Sequence, residues 1–168
     1  MAAAAPSTGS GRRSAARLAA VQALYQIELG GLSAGPVIEE FRAHRLGREI
    51  EGVAYAEADA VLFADIVTGH QERTAEIDRL IGDRLDKDRL LERLEAILRA
   101  ILRAGTYELL ARPDVPARVI ISEYLDVAHA FFSGSEPGFA NGVLDRLAHD
   151  LRGGEFGEAG HDRSRRPR

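Results

Sequence analysis

The chain contains no cysteine in its 168 residues, which excludes disulfides, thiolate nucleophiles and cysteine-ligated zinc. Lysine is nearly missing too. Lys87 is the only one, so arginine is the general-purpose cation and any single arginine is weak evidence of phosphate binding. No apolar run approaches the roughly 20 residues that span a bilayer. The opening Met-Ala-Ala-Ala-Ala-Pro-Ser-Thr-Gly-Ser lacks a basic region followed by an apolar core, so it does not read as a secretion signal. A cytoplasmic protein is the expectation. His44, His70, His129, His149 and His161 form no pair at helical metal-ligand spacing. Neither a phosphate-cradling glycine loop with its lysine nor a Gly-x-Ser-x-Gly nucleophile turn occurs. Nothing demands catalysis, a cofactor or a metal.

What is present is an ordinary globular composition, 45% apolar and 29% charged, enough for about one domain or two small lobes with a real core. The net charge of −4 argues against coating nucleic acid by bulk charge alone. Charge is uneven, however. From Met1 to Ile27 there are three arginines and no acid, and Arg163 to Arg168 holds four arginines.

Residues 1–11 are small and polar and are expected to be a disordered arm. From Arg12, the residues Leu18, Val21, Leu24, Tyr25, Ile27 and Leu29 recur at helical steps, with Arg12, Arg13, Arg17 and Gln22 toward the other side and the N-terminal end. Gly30-Gly31 stops this helix, and Pro36 opens a second that carries Val37, Ile38 and Phe41 and fades near Gly47. After Gly52 one long helix is predicted from about Tyr55 to Arg84, with Val61 and Leu80 among its inward residues. Asp86-Lys87-Asp88 is a polar break between lobes of about 12–85 and 86–152. Leu90, Leu91 and Leu94 make a short turn or helix. A wide apolar stripe then runs from Ile97 to Arg112, ended by Pro113, and Pro116 starts the next helix. Ser133-Gly134-Ser135 is a loop with an N-cap at Ser135. The last helix spans about Glu136 to Leu151, and 153–168 reads as a flexible basic tail. No segment shows sustained strand alternation. The prediction is an all-α fold of about seven helices in two packed antiparallel bundles.

Three stretches resemble one family. They are Arg12-Arg13-Ser14-Ala15-Ala16-Arg17-Leu18-Ala19-Ala20-Val21-Gln22-Ala23-Leu24-Tyr25; Leu98 through Leu110 with Asp114-Val115-Pro116; and Ile121-Ser122-Glu123 with Phe139 through Leu147. In this order and spacing, over roughly residues 12–150, they resemble the NusB transcription antitermination factors. The resemblance implies two helical bundles and a complex with the small-subunit ribosomal protein that doubles as NusE. That pair binds boxA-type RNA and helps the transcribing RNA polymerase resist termination, notably on ribosomal RNA operons. It also implies RNA contacts at Arg12, Arg13, Arg17, Gln22, Ser133, Ser135 and Phe139, and partner contacts at Tyr25, Leu98, Ala117 and Arg118. Leu98, Ala117, Ser122, Phe132 and Gly138 depart from the family's usual residues.

Electrostatics bears on the arginine cluster independently. Cations at a helix N-terminus oppose the macrodipole, at a cost of roughly 0.3–1 kcal/mol each when exposed, whereas phosphates suit the free N–H groups there. Three to five phosphate contacts to single-stranded RNA give a salt slope of only about −2 to −3.5, so a basic partner is expected to complete the surface. Phe139 reads either as core or as a base-stacking ring, and Tyr25 as core edge or interface. Arg103, Glu108 and Glu123 read as structural. The alternatives are a helical protein-interaction module without an RNA role and the RNA-binding module of an rRNA methyltransferase. A homodimer over the same face is a further expectation.

Overall fold

Alanine lets the first helix run through the middle of the molecule. Helix α1 (Gly9–Gly30) buries Ala16, Ala19, Ala20 and Ala23 together with Val21, Leu24 and Ile27. Small side chains on several faces admit neighbours on several sides, and α1 packs against α2 (Ala34–His44), α3 (Ala60–Glu72), α5 (Ala96–Ala111) and α6 (Ala117–Phe131). The structure, a computed structural model, describes residues 9–46, 49–50, 53–54 and 58–157. Gly47, Gly52 and Tyr55, used above as helix limits, lie outside the described residues.

The single apolar face predicted for α1 is therefore corrected. Leu29 is 60% exposed, while Arg17, expected on the polar side, is 2% exposed. Helix α1 also opens at Gly9 rather than Arg12, so Gly9 to Gly11 belong to the helix and not to an arm. Residues 1–8 lie outside the described residues.

The predicted helix from 55 to 84 is two helices, α3 and α4 (Thr74–Gly82), meeting at Arg73. The break involves no glycine or proline. The Thr74 hydroxyl donates to the His70 carbonyl at 2.9 Å, and Arg73 leaves helical geometry with φ −121° and ψ 22°. A side-chain hydroxyl here competes for a backbone carbonyl. Val61, predicted inward, is 76% exposed. It follows the start of α3, where Asp59 caps Leu62 N–H at 2.9 Å and its own N–H donates to the Arg12 carbonyl at 3.0 Å. A two-residue antiparallel pairing, Glu49–Ile50 with Val53–Ala54, is the one strand contact among the described residues. It is too short to alter the all-α class.

Helix α5 packs antiparallel to α1, with Arg17 opposite Glu108 and Glu28 opposite Arg99 and Arg103. Helices α6 and α7 (Glu136–Leu151) close over its other side. Pro113 and Pro116 place the α5–α6 turn where the sequence put it, since neither continues a helix. At the far end, residues Gly153–Phe156 form a 3₁₀ turn instead of the start of a loose tail. Arg152 explains it: its guanidinium donates to the carbonyls of Glu108, Leu109, Arg112 and Val115. These are carbonyls at the C-terminal end of α5 and in its turn; those of Glu108 and Arg112 also accept the Arg112 and Val115 N–H groups, and the ends of helices leave carbonyls short of helical partners. Residues 158–168 lie outside the described residues.

Candidate nucleic-acid interface

Arg12 and Arg13 stand exposed in the second turn of α1, and no acid occupies its first turn. Two elements fix this turn. The start of α3 hydrogen-bonds the Arg12 carbonyl. On the other flank Arg13 borders a groove of about 420 Å³ whose apolar wall is Val115, Pro116 and Val119. Ser14 donates to Glu123 of α6 at 2.7 Å, which ties the arginine-bearing turn to α6.

Arg17 does something different. Its guanidinium makes a two-pronged contact with Glu108, Nε at 2.8 Å and Nη2 at 2.9 Å, and lies 3.8 Å from Glu123. Tyr124 donates to the same Glu108 at 2.5 Å. Burial opposes the charge on Arg17, and the hydrogen bond and charge of Glu108 overcome it, so its pKa rises. Burial and the adjacent Glu108 likewise push the Tyr124 phenol well above its ordinary value. This triad joins α1, α5 and α6. The expectation that Arg17 lies along an RNA backbone is corrected, because a carboxylate inside the fold already takes its donors. Arg103, read as structural, pairs with Asp78 at 2.8 and 2.9 Å and with Glu28 at 3.2 Å.

The remaining candidates fall in two places. Gln22 is half-buried on α1, ten residues beyond Arg12 and so about 15 Å along the axis. Ser133 and Ser135 are exposed in the α6–α7 loop, with Phe139 half-buried one turn into α7. Ser135 occupies the N-cap position, but its hydroxyl caps nothing. It adopts φ −84° and ψ −8° rather than the extended conformation that aims a cap side chain at the first turn. Between these places α1 faces α6 across Glu123 and Asp126. The candidate surface is thus two basic or polar ends separated by an acidic stripe.

The partner-contact candidates are dispersed. Tyr25 is half-buried and Arg118 is exposed, its guanidinium 5.4 Å from the Phe156 ring centre. Leu98 is 5% exposed and Ala117 1%. Direct contact by these two side chains is corrected to core packing, because α5 is covered on nearly every face. Leu98 begins α5 and Ala117 begins α6 beyond its other end, roughly 20 Å apart along the α5 axis.

Two arginines escaped the sequence reading. Arg99, on the wide apolar stripe, is buried, pairs with Glu28 at 2.5 Å and reaches the carbonyls of Leu91, Glu92 and Leu94. Arg152 makes the clamp already described. An arginine inside an apolar stripe is the one sequence signal available for the first. The second has none.

Comparison with known proteins fits this architecture. The NusB family model matches residues 14–149. The transcription antitermination protein NusB of Nitrobacter hamburgensis is 55% identical over 145 residues, covering 86% of this chain and 91% of its own. That of Rhizobium rhizogenes is 51% identical over 148 residues, covering 88% and 92%. The T. maritima NusB structure superposes with a TM-score of 0.69 at 31% identity, covering 86% of this chain and 96% of its own. A crystal structure of NusB and NusE in complex with double-stranded RNA shares the fold, with a TM-score of 0.68 at 23% identity, covering 83% of this chain and 97% of its own. The chain belongs to the NusB family of transcription antitermination proteins.

Proposed function

We propose that this antitermination factor works as one half of a composite RNA surface, joined to a small, basic ribosomal protein of the NusE type and holding boxA-type RNA. The observation that carries this reading is the pair Arg12 and Arg13, both exposed near the N-terminus of α1, whose first turn includes no acidic residue. Such placement opposes the helix dipole and suits an incoming phosphate. Ser133, Ser135 and Phe139 supply the second patch, with Gln22 at the edge, and each offers a polar or aromatic contact to an unpaired strand. Arg118 and Tyr25 are the accessible candidates for the protein partner. The transcribing RNA polymerase complex is the machine on which the assembly acts.

Charge explains why a partner is needed. Arg12, Arg13 and one or two further cations give a salt slope of about −2 to −3, on a chain whose net charge is −4. Binding by the chain alone is therefore weak, and a cationic protein placed beside the arginines strengthens it. A mobility-shift titration with boxA-type RNA, with and without the purified ribosomal protein, tests the reading. Tight binding only with both proteins supports it. No binding with both present at physiological salt overturns it, and sedimentation in the same buffer distinguishes a homodimer that covers the face.

A further inference from the structure

Phe139 does not present a bare ring to solvent. One side of it packs against the core, and over the ring lies the guanidinium of Arg89, its Cζ 4.6 Å from the centre. Arg89 comes from the segment joining α4 to α5, where its N–H donates to the Asp86 carbonyl at 2.8 Å just before the 3₁₀ turn Leu91–Arg93. It is exposed. Asp86 and Asp88 closely precede it in the chain, yet neither reaches ion-pair distance. Among the described residues its guanidinium has no carboxylate partner, unlike those of Arg17, Arg84, Arg99 and Arg103.

A guanidinium is flat, weakly hydrated and able to stack on an aromatic face. With the Phe139 ring beneath the Arg89 guanidinium and the residue exposed, the side of the charge away from the ring is open to solvent. Arginine planes of this kind stack unpaired bases of RNA, and the same charge attracts the adjoining phosphate. Ser135, one turn before Phe139, adds an uncommitted hydroxyl at the same end of α7.

We propose that Arg89 is the base-stacking residue of the second patch: Phe139 orients its guanidinium, and an unpaired base of the bound strand stacks on the outer side. The proposal rests on the RNA-binding reading above and deepens it, naming a single-stranded ligand at that end and moving the stacking role from the ring to the arginine. It also assigns Phe139 as a positioning residue, which accounts for an aromatic that is half-buried and already covered.

The test measures affinity for a short single-stranded boxA-type RNA, with the ribosomal protein partner in saturating amount, as a function of salt. Stacking removed by truncation is read as roughly a tenfold loss. Arg89→Ala is expected to weaken binding about tenfold. Arg89→Lys, which keeps the charge and loses the plane, weakens it about fivefold with the salt slope unchanged. Arg93→Ala, a nearby exposed arginine, stays within about twofold. Native-like binding by Arg89→Lys overturns stacking in favour of charge alone. Equal losses in Arg89→Ala and Arg93→Ala overturn it likewise. Unchanged binding by Arg89→Ala overturns this proposal and leaves the RNA-binding reading standing, whereas failure of the unsubstituted pair to bind overturns both. Both positions are exposed, and circular dichroism checks that the three variants keep their helices.

Discussion

Arg13 and Arg17 lie one turn apart on α1, and their surroundings give them different work. Both border the same groove, but Arg13 is exposed whereas Arg17 is 2% exposed and held by Glu108, which also accepts from Tyr124. Deleting one partner of a buried ion pair leaves the other charge uncompensated, at a cost of about 3–5 kcal/mol. Arg17→Ala is therefore expected to lower unfolding free energy by that amount in urea, whereas Arg13→Ala stays within about 0.5 kcal/mol. Equal stability of the two variants would contradict the division. That division was not legible in the sequence, because arginine serves every cationic role in this chain and helical spacing places Arg17 near Arg13. His70 gives a second prediction at this scale. It is buried with Nε2 unpartnered; burial first, then the nearby Arg103, lowers its pKa to about 4 against the pull of Asp78 and Glu28. The unfolded chain, titrating near the ordinary 6.5, takes up a proton that the native state refuses. Stability contributed by neutral His70 is complete above pH 6.5 and is lost as pH falls toward 4, by about 3 kcal/mol. His70→Leu is expected to flatten unfolding free energy against pH in that window by about one proton. An unchanged slope would show that His70 does not set it.

At the scale of elements, the connections that proline punctuates were predicted well. Helices α5, α6 and α7 fall within a residue or so of their expected limits, because Pro113, Pro116 and the Ser133–Ser135 loop act locally. The α3–α4 break was not, since it depends on a threonine hydroxyl and on packing. Gly69, near that break, shows how close the packing is. A Cβ built there would sit 2.2 Å from the Tyr107 ring, whose hydroxyl donates to Asp65 at 2.7 Å. Burial, followed by the Asp65 contact, pushes the Tyr107 phenol up to about 12, so it keeps its proton and the bond at any physiological pH. Gly69→Ala must displace Tyr107 from α3 and is expected to cost about 3 kcal/mol in a thermal or urea melt. A native-like midpoint would mean that α3 and α5 separate freely.

At the scale of the molecule, the fold commits many of its arginines to internal contacts. Arg17, Arg84, Arg99, Arg103, Arg112 and Arg152 each bind a carboxylate or a carbonyl inside the structure. This is why a net charge read from composition says little about where phosphate can bind. The all-α class and its family were legible because they rest on long periodic stretches. The candidate interface was legible only in outline, since burial separates Arg12 and Arg13 from Arg17, and three-dimensional proximity brings Arg89 to Phe139. Among the described residues no helix is long and apolar enough to cross a membrane.

The most direct test is a fluorescence-anisotropy titration of boxA-type RNA over a range of salt, with the ribosomal partner present, comparing the unsubstituted chain with an Arg12→Ala, Arg13→Ala double variant. Loss of two phosphate contacts is expected to weaken binding at least tenfold and to make the salt slope shallower by about 1.4, with the melting transition unchanged. Unchanged affinity and slope in the double variant would contradict an RNA surface built on the opening turns of α1.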